Sequence, residues 1–238
     1  MTRRAFPAGE GIFETLRTED SKVAELTRHM RRAVRAAAHL DIAMPSEDAI
    51  RSEIDLQLEL NPHDVGRLRI CVNKEGFSVT HDAYEDLRHP ARITFSSHTS
   101  LAEGEQFKTY PYESHYEILD NAALYGFDDA IIFNRENNVT ETAISNIALL
   151  IDSNWVTPPI GAGILPGVMR AIAIERCGVE VRNIHITEFP HVQSAILLSS
   201  LKIAQEVSHI GEQELITGAR SRVLAQEMRQ KVEFFSVG

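Results

Sequence analysis

The chain has 238 residues, 43% hydrophobic and 24% charged, which suits one large globular domain or two small ones sharing an interface. Its formal net charge of −10 excludes a general nucleic-acid binder, which needs cationic surface to release phosphate counterions, but allows a local basic patch for an anionic small molecule. Cys71 and Cys177 sit in apolar segments and point to a reducing cytoplasm; no signal sequence is seen, and no apolar run approaches the roughly 18 residues of a membrane span.

Residues 11–17 (GIFETLR) alternate like a strand. Residues 24–40 read as a helix, with Met30, Val34, Ala37 and Leu40 at helical spacing and Arg28, Arg31, Arg32 and Arg35 clustered around them. A second helix is predicted over 46–60, with Ser46 as N-cap and Asn61-Pro62 as its stop. Residues 67–73 and 76–80 form two strands joined by a turn at Asn73, and 91–96 is another strand. The polar stretch 96–106, which contains Gly104, reads as a linker. It divides a small N-terminal α+β domain over 1–100 from a larger C-terminal α+β domain over 101–238.

A helix is predicted over 113–125, ended by Gly126. Strands follow at 130–134 and 147–151, with a turn at 135–138. Gly167 opens a helix that ends at Gly178; strands are predicted over 179–182 and 195–199, and a last helix over 220–231. Strands and helices mix without strict alternation, which favours α+β.

Lys108 stands between Phe107 and Tyr110, with Tyr112 close by. A lysine desolvated by aromatic rings has a lowered pKa and can act as a nucleophilic amine; the alternative is a surface lysine that opens a helix. Glu141 lies between two strand-like runs, where a carboxylate could hold a pyridine nitrogen protonated; the alternative is an exposed loop glutamate. Residues 161–170 (GAGILPGVMR) run from a glycine-containing loop into a helix N-terminus, a setting whose free N–H groups suit a phosphate. Arg32 could add a bidentate phosphate contact or belong to a solvated basic face. No Walker-type loop, nucleophile elbow or zinc-spaced Cys/His set competes, so no metal is expected; His29 and His39 lie ten residues apart and are not a ligand pair.

In this order the pieces resemble the class-IV aminotransferase family, the fold type IV pyridoxal-phosphate enzymes. The resemblance rests on Gly9–Arg17 (GEGIFETLR), His29-Met-Arg-Arg32, Lys108, Glu141 with Asn146, and Thr157-Pro158 followed by Gly163–Arg170 (GILPGVMR), and it covers nearly the whole chain. It implies two α+β domains like those of D-amino-acid aminotransferase, with pyridoxal 5'-phosphate between them, and a homodimer. It implies Lys108 as the Schiff-base lysine and proton shuttle, Glu141 (with Asn146) at the pyridine nitrogen, and Leu165 against the ring. Arg32 and the N–H groups of Val168 and Met169 would bind the phosphate, with Ser200 and Leu201 adding to it.

Within the family, Phe13-Glu-Thr15, Met169, Arg67-Leu-Arg-Ile70, Asn73-Lys-Glu-Gly76 and Phe107-Lys-Thr109 resemble 4-amino-4-deoxychorismate lyases. That implies elimination of pyruvate to give p-aminobenzoate, with Thr15 as proton donor and Arg69 or Lys202 holding a substrate carboxylate. A branched-chain or D-amino-acid aminotransferase shares Lys108, Glu141 and Arg32, and a non-catalytic binding member of the fold is a third alternative. Two features depart from the family pattern. The chain enters it just before Gly9, without the preceding strand or two, and the segment after Lys108 (TYPYESHY) matches no subgroup cleanly.

Overall fold

The computed structural model describes residues 6–87, 89–216 and 218–237. In chain order the elements are β1 (Gly11–Glu19), β2 (Lys22–Ala24), α1 (Leu26–His39), α2 (Glu47–Leu60), β3 (Val65–Asn73) and β4 (Gly76–Ala83). Then come β5 (Ala91–Ser100), β6 (Thr109–Tyr110), α3 (Glu113–Leu124), β7 (Asp129–Asn134), β8 (Val139–Thr142), β9 (Asn146–Ile151) and β10 (Asn154–Thr157). The last are α4 (Val168–Cys177), β11 (Glu180–Val181), β12 (Val192–Ser199), β13 (Ile203–Ile210), β14 (Gln213–Glu214), α5 (Ala219–Lys231) and β15 (Phe234–Phe235). They fall into two compact units that interleave along the chain: Met1–Glu85, Phe107–Glu113 and Glu233–Gly238 form one, Asp86–Gln106 and Ser114–Val232 the other.

The first unit is a six-stranded antiparallel sheet of order β15-β2-β1-β3-β4, with β6 also on β1. β1 pairs with β3 over its whole length, from Gly11 opposite Asn73 to Glu19 opposite Val65. Side chains alternate along a strand. Ile12 and Leu16 therefore join Leu68, Ile70 and Val72 in a core with Ala33, Ala36 and Ala37 of α1 and Ile50, Ile54 and Leu58 of α2. Phe13 points the other way and packs with Cys71 and Tyr110. Ser46 caps α2 by accepting from the N–H of Ala49 at 3.2 Å.

α1 uses most of the stripe expected from its sequence: Ala37 is buried, and Met30 and Leu40 pack against the core. Val34 is 51% exposed, whereas Leu26, His29, Arg32, Ala33, Ala36 and Ala37 are buried. Where burial departs from that stripe, it follows small size at Ala33 and Ala36 and a buried charge partner for Arg32. The helix also begins later than expected, because residues 22–24 form β2 beside β1.

The second unit is a nine-stranded mixed sheet of order β11-β10-β9-β12-β13-β5-β7-β8, with β14 on β13. β5 runs parallel to both neighbours, β13 and β7. One face buries Ile93, Ile131, Ile147, Leu149, Leu197 and Val207. α4 and α5 pack against each other and against β12, and α3 covers Ala130, Ile132 and Ala143.

The contacts place 91–100 in this second unit and the Lys108 segment in the first, unlike the two consecutive segments, 1–100 and 101–238, expected from the sequence. The polar run after Phe95 still pairs with β7, Thr99 opposite Phe133, after an irregularity in register. Backbone pairing needs no apolar side chains, so composition hid the end of this strand. β8, β10 and β13 carry mixed polar and apolar residues and were not foreseen for the same reason. No helix among the described residues is long and apolar enough to cross a membrane.

Gly66 tests the packing of the first sheet. A Cβ there would overlap His81 Nε2 and Thr18 Oγ1, which meet at 2.7 Å. Gly66→Ala should lower stability by about 1–3 kcal/mol in urea unfolding, the usual cost of overpacking; a stability equal to wild type would mean that His81 gives way freely.

Candidate active site

In the first unit, Lys108 precedes β6 and its carbonyl accepts from the N–H of Phe13 at 3.0 Å. This bond holds the lysine beside the outward face of β1. Its Nζ lies 4.5 Å from the Phe13 ring centre and 5.2 Å from that of Tyr112. The aromatic setting expected from the sequence is thus present, built from Phe13 and Tyr112, while Phe107 stacks on His39.

Thr15 is two residues from Phe13, on the same face of β1, and stands opposite Arg69 of β3. The Arg69 guanidinium lies 5.0 Å over Phe6 and 5.6 Å over Phe13. Its Nε and Nη1 are buried and have no hydrogen-bond partner among the described residues. Buried donors left unpaired are costly, so this is a place for an anion to settle.

Arg32 is not part of a solvated face. It is buried, with Nε donating to Glu14 Oε1 at 2.8 Å and Nη2 to Glu14 Oε2 at 2.6 Å. His29 Nδ1 lies 2.7 Å from the same Oε2. Burial would raise the pKa of Glu14, but Arg32, with His29, outweighs it and takes the carboxyl from 4.5 down to about 2. Burial lowers the pKa of His29 more than Glu14 raises it, so the ring is neutral and Nδ1–H donates to the carboxylate.

In the second unit, Glu141 lies in β8. It accepts from Asn146 Nδ2 at 3.0 Å, and both its oxygens lie 3.3 Å from the N–H of Leu165. Asn146 Nδ2 also donates to the carbonyl of Leu165 at 3.0 Å. Gly167 caps α4 without a side chain to engage the first-turn N–H groups, and a Cβ on it would overlap Asn146 Oδ1. Val168 and Met169, both buried, follow as the first helical residues. Arg170 turns inward and donates from Nε at 3.2 Å and Nη2 at 2.6 Å to the carbonyl of Pro158.

Ser200, Leu201 and Lys202 form the turn between β12 and β13. Burial lowers the pKa of Lys202, opposed by the charges of Asp129 and Asp128, so the lysine's strongest electrostatic partner is Asp129. Asp129 is buried, which raises its pKa. It accepts from the N–H groups of Ala130 and Ala143, each at 2.9 Å, and from Thr142 Oγ1 at 2.8 Å.

The structure therefore gathers Lys108, Thr15 and Arg69 in one unit, with Arg32 on the α1 side of the same sheet. It gathers Glu141, Asn146 and Leu165, with the start of α4, in the other. Glu14 as the partner of Arg32, and Asp129, are not singled out by the sequence; His29 is, but as part of the His29-Met-Arg-Arg32 motif and not as a carboxylate partner. Glu14 had a legible signal: it falls on the core-facing phase of β1 between Ile12 and Leu16, which calls for a cationic partner. Asp129 had none, because its three donors come from loop backbone and a threonine.

The sequence profile of the family Amino-transferase class IV matches residues 11–210, and the chain belongs to that family. It is a pyridoxal-phosphate-dependent enzyme, a lyase or an aminotransferase. A Schizosaccharomyces pombe protein named "Putative aminodeoxychorismate lyase" is 23% identical over 69% of this chain and 73% of its own length. A Mycobacterium tuberculosis bifunctional aminodeoxychorismate lyase / D-amino acid transaminase is 22% identical over 92% of this chain and 88% of its own. The crystal structure of a Brucella abortus aminotransferase bound to PLP shares the fold, with TM-score 0.82 and 18% identity over 97% of this chain and 94% of that one.

The residues present fit such a cofactor. Glu141 is held by fixed donors and can face a pyridine nitrogen, α4 opens without a side-chain cap where a phosphate could accept, and Lys108 supplies an amine against aromatic rings.

The Glu14 cluster predicts an acid limb. Its pKa is depressed on folding, so its contribution is complete above about pH 4.5 and is lost as pH falls towards about 2. Neutral His29 adds loss below its ordinary 6.5. Urea unfolding between pH 7 and pH 3 should show falling stability in wild type and a flatter profile in a Glu14→Gln, His29→Gln double variant; parallel profiles would remove the cluster from the acid limb.

Proposed function

We propose that the chain is a 4-amino-4-deoxychorismate lyase, which eliminates pyruvate from its substrate to give p-aminobenzoate in folate synthesis. The observation that carries this reading is the outward face of the first sheet, where Thr15 stands opposite Arg69 and shares its strand face with Phe13, on which the Lys108 amine rests. An elimination needs a base, an acid for the leaving group and a carboxylate anchor, and this face offers one candidate for each. The names of the two curated relatives support the same reaction.

In this reading Lys108 is the lysine that joins the cofactor. Arg32, the N–H groups of Val168 and Met169, and the Ser200-Leu201 turn bind its phosphate. Leu165 lies against its ring and Glu141, steadied by Asn146, faces its pyridine nitrogen. When bound, pyridoxal phosphate supplies an electron sink for the charge left as the substrate C–H bond breaks. The Lys108 amine takes the proton from the carbon bearing the substrate nitrogen. The C–O bond on the neighbouring carbon breaks, the ring becomes aromatic, and enolpyruvate leaves. Thr15 delivers the proton that turns enolpyruvate into pyruvate and is reprotonated by the proton that the Lys108 amine took from the substrate, and Arg69 pairs with a substrate carboxylate through its buried donors. Lys202 is the weaker anchor, because Asp129 already attracts its charge. The family resemblance adds a homodimer and a cytoplasmic setting to the reading.

The bifunctional relative favours a second reading, an aminotransferase for D- or branched-chain amino acids, in which Lys108 returns the proton to the cofactor instead.

The test is product analysis with the cofactor-loaded protein. Aminodeoxychorismate should yield p-aminobenzoate and pyruvate in equal amounts, while D-alanine and L-leucine leave the absorbance of the bound cofactor unchanged. Conversion of that absorbance by an amino acid, with no p-aminobenzoate formed, would sink the lyase reading. Lys108→Ala should abolish turnover and the absorbance of lysine-linked cofactor. Thr15→Ala should keep that absorbance and lose about 10²–10⁴-fold in rate, the usual span of acid–base catalysis.

A further inference from the structure

We propose that Glu14 is a positioning residue for the cofactor phosphate, acting through Arg32. The inference rests on the reading above in which Arg32 contacts that phosphate.

Three side chains meet at Glu14, and all are buried: the carboxylate on β1 and Arg32 and His29 on α1. The Arg32–Glu14 pair is two-pronged, Nε to Oε1 and Nη2 to Oε2. A planar guanidinium gripped along one edge can neither rotate nor translate without breaking both bonds. Its Nη1 edge is thereby aimed in one direction. His29 occupies Oε2 from the other side at 2.7 Å and keeps the carboxylate from swinging away. The spacing explains why the two helical partners cooperate, since residues three apart lie on the same helix face.

Structural stability alone is a poor reason for such a cluster. Two ions and a histidine buried in an apolar core cost desolvation that their attraction only partly returns. Large aliphatic residues at these three positions would complete the core formed by Ile12, Leu16 and Ala33. A phosphate ligand changes this balance, because a pre-aimed guanidinium binds without the entropy loss of ordering a free arginine. Glu14 also neutralises Arg32, so the geometry of the donor edge, not net charge, gives the contact its value.

The experiment compares how tightly the apoprotein binds pyridoxal phosphate and pyridoxal, which lacks the phosphate. Glu14→Gln keeps the shape but turns an amide N–H₂ toward a guanidinium donor, which breaks the two-pronged grip. The ratio of the two affinities should fall about tenfold, the value of one charge-assisted hydrogen bond, while pyridoxal binding stays as in wild type. Arg32→Lys should lower the same ratio, and the double variant should lower it no further than Arg32→Lys alone. Equal losses for both ligands would show a merely structural role and overturn the proposal. An unchanged ratio in Glu14→Gln would also overturn it. If Arg32→Lys leaves the ratio unchanged too, the phosphate reading of Arg32 falls with it; if only Arg32→Lys lowers it, that reading stands and the role of Glu14 is rejected. Should Glu14→Gln not fold, Glu14→Asp decides: its shorter carboxylate draws the guanidinium back, and a wild-type ratio would be the overturning result.

Discussion

The two-residue repeat of β1 is the constraint on which the first unit depends. One phase, Ile12, Glu14 and Leu16, faces the helices; the other, Phe13 and Thr15, faces away from them. Pairing with β3 over nine residues holds this phase. A slip by one residue would send Glu14 to the outward face and Thr15 into the helix-covered core. It would strand Arg32 and His29 without their carboxylate, so the polar cluster penalises the wrong register while the apolar residues reward the right one. A buried charge that costs stability can in this way specify a single arrangement.

The second unit solves a similar problem with backbone. Glu141 must be presented from a short strand, β8, whose return to β9 runs through residues 143–145. Asp129, at the start of β7, accepts from the N–H of Ala143 and from Thr142 Oγ1, and His115 Nδ1 lies 2.9 Å from the carbonyl of Ala143. Both neighbours of the turn are tied down on either side of its backbone. Glu141 then needs only Asn146 and the N–H of Leu165 to fix its carboxylate. The absence of a Cβ at Gly167 lets Asn146 lie against the chain just before α4, so the carboxylate and the helix start are set by one asparagine.

Much of this was legible in the sequence where local rules act alone. Strong alternation marked β1, Ser46 marked the start of α2, and Gly167 and Gly178 bracketed α4. The rest was decided by tertiary partners. The α1 stripe of Met30, Val34, Ala37 and Leu40 left out Arg32 and His29 because hydropathy ranks arginine and histidine as outside residues. Glu14 on another element reversed that ranking for Arg32 and His29. The end of β5 was hidden because its pairing with β7 is a backbone matter that Ser96, Ser97 and His98 do not advertise. Of the proposed site, Lys108, Glu141, Asn146 and Arg32 were picked out as a pattern in the order of the chain; the core-facing phase of Glu14 hints at a cation without naming Arg32, and Asp129, held by backbone and a threonine, is visible only through distances.

The division of labour between these units bears on which reaction the fold carries out. Removing a proton beside an amine requires a base and an electron sink, and those needs are common to elimination and transamination. The two outcomes part only after the C–H bond is broken, when the displaced electron pair either expels a neighbouring oxygen or is captured by a proton at the cofactor. Expulsion is favoured by an acid near the leaving group and by a cation that keeps the departing acid group in register. The Thr15–Arg69 pair sits on the first sheet, on the strand face where Lys108 rests against Phe13. Arg69 cannot easily serve as a mere packing residue there, because two of its donors are buried without a partner among the described residues, beside the adjoining rings of Phe6 and Phe13. The adjoining rings keep water from that side of the guanidinium, and so raise the value of an arriving carboxylate. Under the proposed lyase reading, the discrimination between reactions would lie in the outward phase of β1 and its β3 neighbour, while the inward phase carries Glu14 and its bonds to Arg32 and His29.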